Sequence, residues 1–343
     1  MTETKKAMSA ARKKRQRNRI LLTVLVVLIF IGALAGAISL LTKNTHMDLT
    51  LSYLETKGES HTYKKATQMK AKSFASDLCV ASGSTEDSSI TLKGEEKAAL
   101  FDVNNKRVLY AEGIYTKVYP ASITKIMTGI MAVKYGNMDD VVTITEEDVN
   151  LEEGSQMVGL EAGDTITMDE LFHGLLVYSG NDCAMAIARH ISGSVSAFVD
   201  QMNVEVKKLG ATGTHFKSPH GLHDEDHYTT VYDIYLMLNE ALNYSYFVET
   251  MQLSYYMISY DRGGETISSR LDATDHYLTH EVSAPKDVTV LGGKTGTTQA
   301  AGSCLAISSQ NRYGEPFISI VMKAVNKETL YEDMNALLEK INS

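Results

Sequence analysis

Three short motifs carry residue types that together could perform acyl transfer. In chain order they are Ser122-Ile123-Thr124-Lys125, Ser179-Gly180-Asn181 and Lys294-Thr295-Gly296. They supply a serine nucleophile, an amine to take its proton, a hydroxyl and amide pair, and a lysine that attracts an anionic substrate. These groups are the components of a reaction that proceeds through a covalent acyl-enzyme.

The first motif places a nucleophile and a base on one side of a predicted helix start. Ser122 and Lys125 are three residues apart, so their side chains face the same way. The first turn of a helix has unpaired amides and the positive end of the helix dipole, which favour developing negative charge. A lysine partly removed from water there acts as a general base at neutral pH. The spacing alone is not specific, because Ser283-Ala284-Pro285-Lys286 repeats it where Pro285 disfavours a helix.

The second motif permits two interpretations. In the catalytic one, Ser179 relays a proton to a leaving amine and Asn181 binds a substrate amide. In the structural one, the tripeptide is a loop after a helix, and Asn181 caps a helix that begins at Asp182. Its position between the other two motifs favours the catalytic interpretation.

The third motif follows an apolar run and predicts an anion-binding segment. Its glycines, Gly296 among them, let a ligand approach the backbone. Lys294 attracts a carboxylate, and Thr295 and Thr297 add hydroxyl donors. A phosphate-binding P-loop is excluded, because the sequence lacks both the upstream glycine spacing and a following helix pattern.

The hydrophobic pattern predicts the elements that must position these motifs. Strands are expected at 98–103, 107–112, 288–291, 304–308 and 317–325, and helices from Ser122, from a Thr167–Glu170 capping box, and at 182–191, 196–209, 230–242 and 330–341. Strands at both ends with helices between them predict an α+β fold in which distant segments close one sheet. Gly210 stands at the expected end of one helix.

The N-terminal region predicts export to the far side of a membrane. Residues 1–19 form a basic tail, and residues 20–41 are 22 uncharged residues, or about 33 Å of helix, enough to cross a hydrocarbon core. Cations before the segment favour a cytoplasmic N-terminus and an extracytoplasmic body. We expect a single-pass anchor, with a signal peptide cleaved near Ala33-Leu34-Ala35 as the alternative.

The rest of the chain divides into a tether and one folded domain. Residues 42–93 are polar and predict a linker, with 74–81 already contacting the domain, and residues 94–343 form the catalytic domain. The part after the basic tail is acidic, which argues against nucleic acid as a partner. The three cysteines are expected to be buried free thiols.

At these motifs the chain resembles the low-molecular-weight penicillin-binding proteins, the serine D-alanyl-D-alanine carboxypeptidases. The likeness extends over about residues 95–325 and includes 119–128 around Ser122, LLVYSGND at 175–182, FKSPHGL at 216–222 and 293–305. It implies an antiparallel sheet flanked by a helical cluster, with the site in the cleft between them. It implies no metal and no cofactor.

The resemblance also implies a role for each motif residue. Ser122 would be acylated by the penultimate D-alanine of a peptidoglycan stem peptide, with Lys125 as base, and β-lactams would acylate it as substrate mimics. The amides of Ser122 and Thr297 would form the oxyanion hole. Lys294 would help to hold the terminal carboxylate, for which no arginine is assigned.

Several alternatives stay open at this point. The same site could cleave D-alanyl cross-links as an endopeptidase, or act as a β-lactamase, for which Glu152 or Glu153 would position the deacylating water. A non-catalytic membrane-tethered sensor of β-lactams or wall peptides is a further alternative. His220 and His227 are expected to be structural, since lone histidines are usually satisfied within a fold.

Overall fold

The computed structural model describes residues 75, 77–85 and 90–342, and its strands form two antiparallel sheets. The larger sheet has the order β2-β1-β9-β8-β7, and the smaller one β3-β4-β5-β6. The strands are β1 Lys97–Asp102, β2 Arg107–Glu112, β3 Val141–Thr143, β4 Thr165–Thr167, β5 Tyr255–Arg262, β6 Glu265–Asp272, β7 Val288–Thr298, β8 Gly302–Asn311 and β9 Pro316–Ala324.

Most of the helices lie in the chain between the two halves of the larger sheet. The α-helices are α1 Lys125–Tyr135, α2 Glu146–Val149, α3 Met168–His173, α4 Asn181–Ser192, α5 Val195–Lys208, α6 Val231–Ala241, α7 Ser245–Met251 and α8 Lys327–Leu338. Ala121–Thr124 and Glu339–Asn342 form 3-10 turns, and Gly174–Tyr178 forms a π-helical turn.

The larger sheet is buried on both faces. Because side chains alternate across a strand, Ala99 and Phe101 of β1 belong to the core shared with the helical cluster, whereas Ala98 and Leu100 belong to the core under α8. Leu337 of α8 is fully buried in this second core. The sheet is therefore the middle layer between α8 and the other helices.

The predicted α+β fold is confirmed, including the closure of one sheet by distant segments. Ala99 of β1 pairs with Ile320 of β9 across most of the domain. One detail differs at Thr167, whose side chain accepts a hydrogen bond from the Glu170 amide, while the Glu170 carboxylate accepts one from Ser259. Only half of the predicted capping box forms, because the glutamate is recruited by β5.

The smaller sheet was not predicted. Its main hairpin joins β5 and β6 across Gly263-Gly264, both with positive φ, a turn signal that the sequence does contain. The third motif also lies inside a strand, because β7 continues through Thr298 instead of ending at Leu291.

The folded unit includes residues that precede β1. Cys79 is fully buried and its amide donates to the Tyr235 hydroxyl at 2.9 Å, so the expected contact of this segment with the domain is confirmed. In the described part of the chain, no helix is both long and apolar enough to cross a membrane. Residues 20–41 lie outside that part, so the proposed anchor and the domain boundaries stay predictions.

Candidate active site

Ser122 lies in the 3-10 turn that leads into α1. The turn is packed tightly against β7, since a Cβ at Gly296 would lie 2.9 Å from the Ser122 amide nitrogen. Ala121 has a φ of 48°, an unusual backbone conformation for a residue with a side chain. The nucleophile is thus held where β7 passes the start of α1, and not on a regular helical turn.

Lys125 is the first residue of α1 and has no solvent exposure. Its Nζ lies 3.0 Å from Ser122 Oγ, 2.6 Å from Asn181 Oδ1 and 3.0 Å from the His220 carbonyl oxygen. Burial lowers the pKa of Lys125 well below its ordinary value, and the charge of Lys294 adds to the effect. Burial therefore favours the neutral amine over the charged ammonium form of Lys125.

The partners of Lys125 orient that neutral amine. An –NH2 group has two hydrogens and one lone pair, and an amide oxygen and a backbone carbonyl can only accept. Asn181 and His220 thus take the two hydrogens, which leaves the lone pair directed at the hydroxyl of Ser122. This geometry is that of a general base next to a nucleophile.

Ser179 and Asn181 come from the junction of the π-helical turn with α4. Ser179 has a φ of 72°, and its buried Oγ has no hydrogen-bond partner within the described residues. Such a strained and unpartnered hydroxyl at the cleft is available to a substrate. Asn181 is the first residue of α4 instead of its cap, and its side chain contacts Lys125.

The third motif lines the opposite wall of the cleft. On β7, Thr295 pairs with Leu305 and Gly296 with Cys304 of β8. Lys294 is only 1% exposed, and its Nζ donates to the Thr295 carbonyl at 3.1 Å. Burial lowers the pKa of Lys294 to about 7, although the charge of Asp275 opposes the shift.

The structure gathers the three motifs around one cleft of about 180 Å³. Ser122 and Ser179 line it together with Thr295, Gly296 and Thr297 of β7. Lys125, Asn181 and Lys294 lie behind this surface and are buried. The sequence predicts that Lys294 attracts an anionic substrate, and that role stays a prediction.

Lys327 is a cation on the surface of the cleft that sequence reasoning missed. It is exposed, begins α8 and lines the cleft beside Tyr331. A signal was present, because a cation in the first turn of a helix opposes the helix dipole and is disfavoured without another role. Gln156 and Thr274 also line the cleft, and Thr295 Oγ1 donates to Thr274 Oγ1 at 2.6 Å.

The two histidines take structural positions. His227 is buried with its Nε2 at 2.8 Å from Thr124 Oγ1, and its Nδ1 accepts from the Lys217 amide. Burial lowers the pKa of His220 to about 3 and that of His227 to about 4, so both are neutral at physiological pH. Among the described residues, no group of three His, Cys, Asp or Glu could hold a metal ion.

Glu152 and Glu153 do not take the position that a β-lactamase would need. Both are exposed in a turn, and neither is among the residues that line the cleft. The described lining of the cleft contains no carboxylate at all. Water activation by a dedicated acidic side chain has no support in this geometry.

Comparison of the sequence with known protein families identifies the family to which the chain belongs. The model of the D-alanyl-D-alanine carboxypeptidase family, Peptidase_S11, matches residues 83–326, which is more than half of the chain. The chain belongs to this family. The match spans all three motifs and both sheets.

Curated members of the D-alanyl-D-alanine carboxypeptidase family are moderately similar to the chain. The Bacillus subtilis D-alanyl-D-alanine carboxypeptidase is 38% identical over 154 residues, 43% of this chain and 39% of that protein. The Haemophilus influenzae D-alanyl-D-alanine carboxypeptidase is 33% identical over 230 residues, 65% of this chain and 55% of that protein. The chain thus spans well under two thirds of either relative.

Solved structures share the fold. A Mycobacterium tuberculosis D-alanyl-D-alanine carboxypeptidase superposes with a TM-score of 0.66 at 25% identity, covering 76% of this chain and 95% of that one. A Streptomyces DD-transpeptidase superposes with a TM-score of 0.67 at 24% identity, covering 73% and 97%. At this identity the second likeness shows the fold alone.

Proposed function

We propose that the protein is a serine D-alanyl-D-alanine carboxypeptidase that removes the terminal D-alanine from peptidoglycan stem peptides. One observation carries the proposal. The buried amine of Lys125 lies 3.0 Å from Ser122 Oγ, and its other two contacts are oxygens that can only accept. The amine is thereby committed to taking the proton of the serine.

In the acylation step, Ser122 Oγ attacks the carbonyl of the penultimate D-alanine and its proton passes to Lys125 Nζ. The amides of Ser122 and Thr297 stabilise the oxyanion, a contribution worth about 3 kcal/mol for each donor in related chemistry. The carbon–nitrogen bond then breaks. The leaving amine takes the proton from Lys125 through the unpartnered hydroxyl of Ser179.

In the deacylation step, water attacks the ester carbonyl and gives its proton to Lys125. The bond from the carbonyl carbon to Ser122 Oγ breaks, and the serine takes the proton back. Among the described residues, no carboxylate lines the cleft to assist this water, which favours slow release of a bound β-lactam over turnover. The protein is therefore expected to be inhibited by β-lactams.

We assign recognition of the substrate carboxylate to two lysines and one threonine. Lys327 reaches the cleft from α8, and Thr295 lines it from β7. Because the Thr295 hydroxyl donates to Thr274 Oγ1, this pair of hydroxyls has one proton left to donate to a carboxylate. Lys294 acts from behind the strand through its charge. Lys327 and Lys294 together bind the substrate carboxylate, a role for which the sequence analysis assigned no arginine.

The pH dependence of binding should follow Lys294. With a pKa of about 7, Lys294 is charged below that pH and neutral above it. We expect kcat/KM for a peptide with a free terminal carboxylate to fall as the pH rises through 7, since kcat/KM reports ionisations of the free enzyme. The matched peptide methyl ester should give lower values without this descending limb. An identical limb for both peptides would remove Lys294 from carboxylate recognition.

In the decisive experiment, the full chain in detergent is incubated separately with a stem pentapeptide and with a labelled penicillin. We expect release of one D-alanine per peptide and a persistent covalent penicillin label. Rapid penicillin turnover would replace the proposal with a β-lactamase, and labelling without peptide cleavage would replace it with a sensor. Faster cleavage of a cross-linked peptide dimer than of the pentapeptide would favour the endopeptidase.

We also propose that residues 20–41 anchor the protein in the cell membrane with the catalytic domain on the extracytoplasmic side. The uncharged length of this segment and the basic tail before it support the placement. The protein is expected to resist carbonate extraction from membranes and to be digested by protease added outside the cell. A mature chain beginning near residue 36 would instead show a cleaved signal peptide.

A further inference from the structure

The loop 209–230, which joins α5 to α6, is fixed to the segment that leads into the nucleophile turn. Thr229 and Val118 exchange two backbone hydrogen bonds of 2.9 Å, so the loop runs beside the chain just before Ser122. His227 lies two residues from this pair and is only 2% exposed. It is buried against the turn, although no step of the proposed reaction uses it.

The hydrogen bonds of His227 have one possible direction. Its Nδ1 lies 3.1 Å from the Lys217 backbone nitrogen, and a backbone amide can only donate. A neutral imidazole that accepts at Nδ1 carries its hydrogen on Nε2, so Nε2 donates to Thr124 Oγ1 at 2.8 Å. Burial lowers the pKa of His227 to about 4, which keeps the ring in this neutral form at physiological pH.

Thr124 continues this series of hydrogen bonds to the backbone of the turn. Its hydroxyl hydrogen is donated to the Ala121 carbonyl oxygen at 2.8 Å. Thr124 is fully buried and Ala121 is almost so, which keeps the series away from water. Successive hydrogen bonds polarise one another, and each is stronger in the low dielectric of a protein interior.

The Ala121 carbonyl belongs to the same peptide group as the Ser122 amide. The group is planar and trans, so its C=O and its N–H point in opposite directions. The nitrogen end faces β7 at the cleft, since a Cβ at Gly296 would lie 2.9 Å from it. A hydrogen bond that fixes the carbonyl therefore also orients the N–H and strengthens it as a donor.

We propose that Thr124 and His227 are positioning residues of the oxyanion hole. They hold the carbonyl of the peptide between Ala121 and Ser122, and so aim its N–H at the oxyanion that forms in the cleft. The inference rests on the proposed function, in which the Ser122 amide is one of two donors to that oxyanion. Ala121 has a φ of 48°, which is unfavourable for a residue with a side chain, and the Thr124 hydroxyl keeps the peptide in place despite it.

A transition-state analogue measures the oxyanion hole directly. In this peptide a boronic acid replaces the scissile carbonyl of the penultimate D-alanine, so that attack by Ser122 Oγ gives a tetrahedral adduct with one oxygen in the hole. For the full chain in detergent, Thr124→Val should lower both the affinity for the boronic acid and the rate constant of penicillin acylation about tenfold. Complete loss of an oxyanion donor costs about a hundredfold to a thousandfold in rate, and here the donor is misaligned but not lost. The dissociation constant of the non-covalent penicillin complex should not change, because the oxyanion forms only on acylation.

Thr128→Val is the matched control. Thr128 lies one turn further along, on α1, is fully buried and donates its hydroxyl to the Pro219 carbonyl at 2.6 Å. The same substitution there removes one buried hydrogen bond to the same loop without touching the peptide before Ser122. It should lower the free energy of unfolding by a similar amount and leave acylation and boronic acid affinity unchanged. Thr124→Ser keeps the hydroxyl and should retain both quantities.

His227→Leu tests the outer member of the series. It leaves the bond from Thr124 to Ala121 in place, so both quantities should fall by only about threefold. Because His227 acts through Thr124, the double variant of His227→Leu and Thr124→Val should be no slower than Thr124→Val alone. If Thr124→Val does not fold, His227→Leu decides by itself.

The outcomes separate this inference from the proposed function. If the wild-type protein neither releases D-alanine nor is acylated by penicillin, the proposed function is wrong and the inference falls with it. If Thr124→Val behaves like Thr128→Val, if His227→Leu changes neither quantity, or if the effects of the two substitutions add, the positioning role is wrong and the proposed function stands. Slower acylation without a matching loss of boronic acid affinity would also overturn the role.

Discussion

Ser122→Ala is expected to abolish covalent labelling by penicillin and to lower D-alanine release by at least about four orders of magnitude, since loss of the nucleophile in serine peptidases has effects of that size. The structure supports this expectation, because the contacts of Lys125 leave its lone pair directed at Ser122 Oγ. No other described hydroxyl has that amine at 3.0 Å. Mass spectrometry of the penicillin adduct measures the first effect, and a D-alanine assay measures the second.

The chain carries its own control for this experiment. Ser283 has a lysine three residues later, as Ser122 does, but it is exposed and lies outside any helix or strand. Its carbonyl accepts a hydrogen bond from the Asn335 side chain, and Pro285 keeps the segment from becoming helical. Ser283→Ala should therefore label and hydrolyse like the wild type. Labelling that survives in Ser122→Ala and disappears in Ser283→Ala would reverse the assignment of the nucleophile.

Sequence reasoning could predict the elements with strong local signals. The helix 196–209 has a clear stop at Gly210 and appears as Val195–Lys208, with Gly210 at a φ of 87°. The apolar runs in β8 and β9 reflect burial on both faces of the sheet. These features depend on residues close together in the sequence, so a single sequence is enough to predict them.

The parts of the site that escaped prediction depend on contacts between distant residues. The carbonyl of His220 holds a hydrogen of Lys125, but every residue has a carbonyl, so nothing in the sequence marks this one. Lys327 reaches the cleft only because α8 packs across β8 and β9 of the larger sheet. The burial of Lys294 depends on a strand that continues through its motif. The order of the motifs in the sequence predicts which residues form the site. Which of them line the cleft and which are buried behind it depends on the packing of distant segments.

The site combines several local arrangements that are unfavourable by themselves. Lys125 is a buried amine, Ser179 combines a left-handed backbone with an unpartnered hydroxyl, and Ala121 has a positive φ. Each costs folding free energy, of order 1–3 kcal/mol for a strained residue. Proteins retain such costs where a reaction needs the group in place. The surrounding packing must therefore be rigid enough to impose them.

Gly221→Ala should show how strongly that packing is required. Gly221 has a φ of +89°, and a Cβ there would overlap the Ala121 carbonyl and lie 2.7 Å from Thr124 Oγ1. The collision is with the backbone of the turn that carries Ser122. We expect a loss of about 2–5 kcal/mol in the free energy of unfolding, from left-handed strain of about 1–2 kcal/mol together with overpacking of about 1–3 kcal/mol.

Gly264→Ala separates the two causes. Gly264 has almost the same φ, +90°, but a Cβ there would meet nothing within 4 Å. It should lose only the strain of about 1–2 kcal/mol and keep the wild-type rate of penicillin labelling. Gly221→Ala should label at least about a hundredfold more slowly, because an error of 1 Å in a reacting group has effects of that order. Denaturant unfolding and stopped-flow labelling measure the two quantities. Equal stability losses in both variants, with labelling unchanged, would mean that the Gly221 contact does not position the nucleophile and that β7 alone holds the turn.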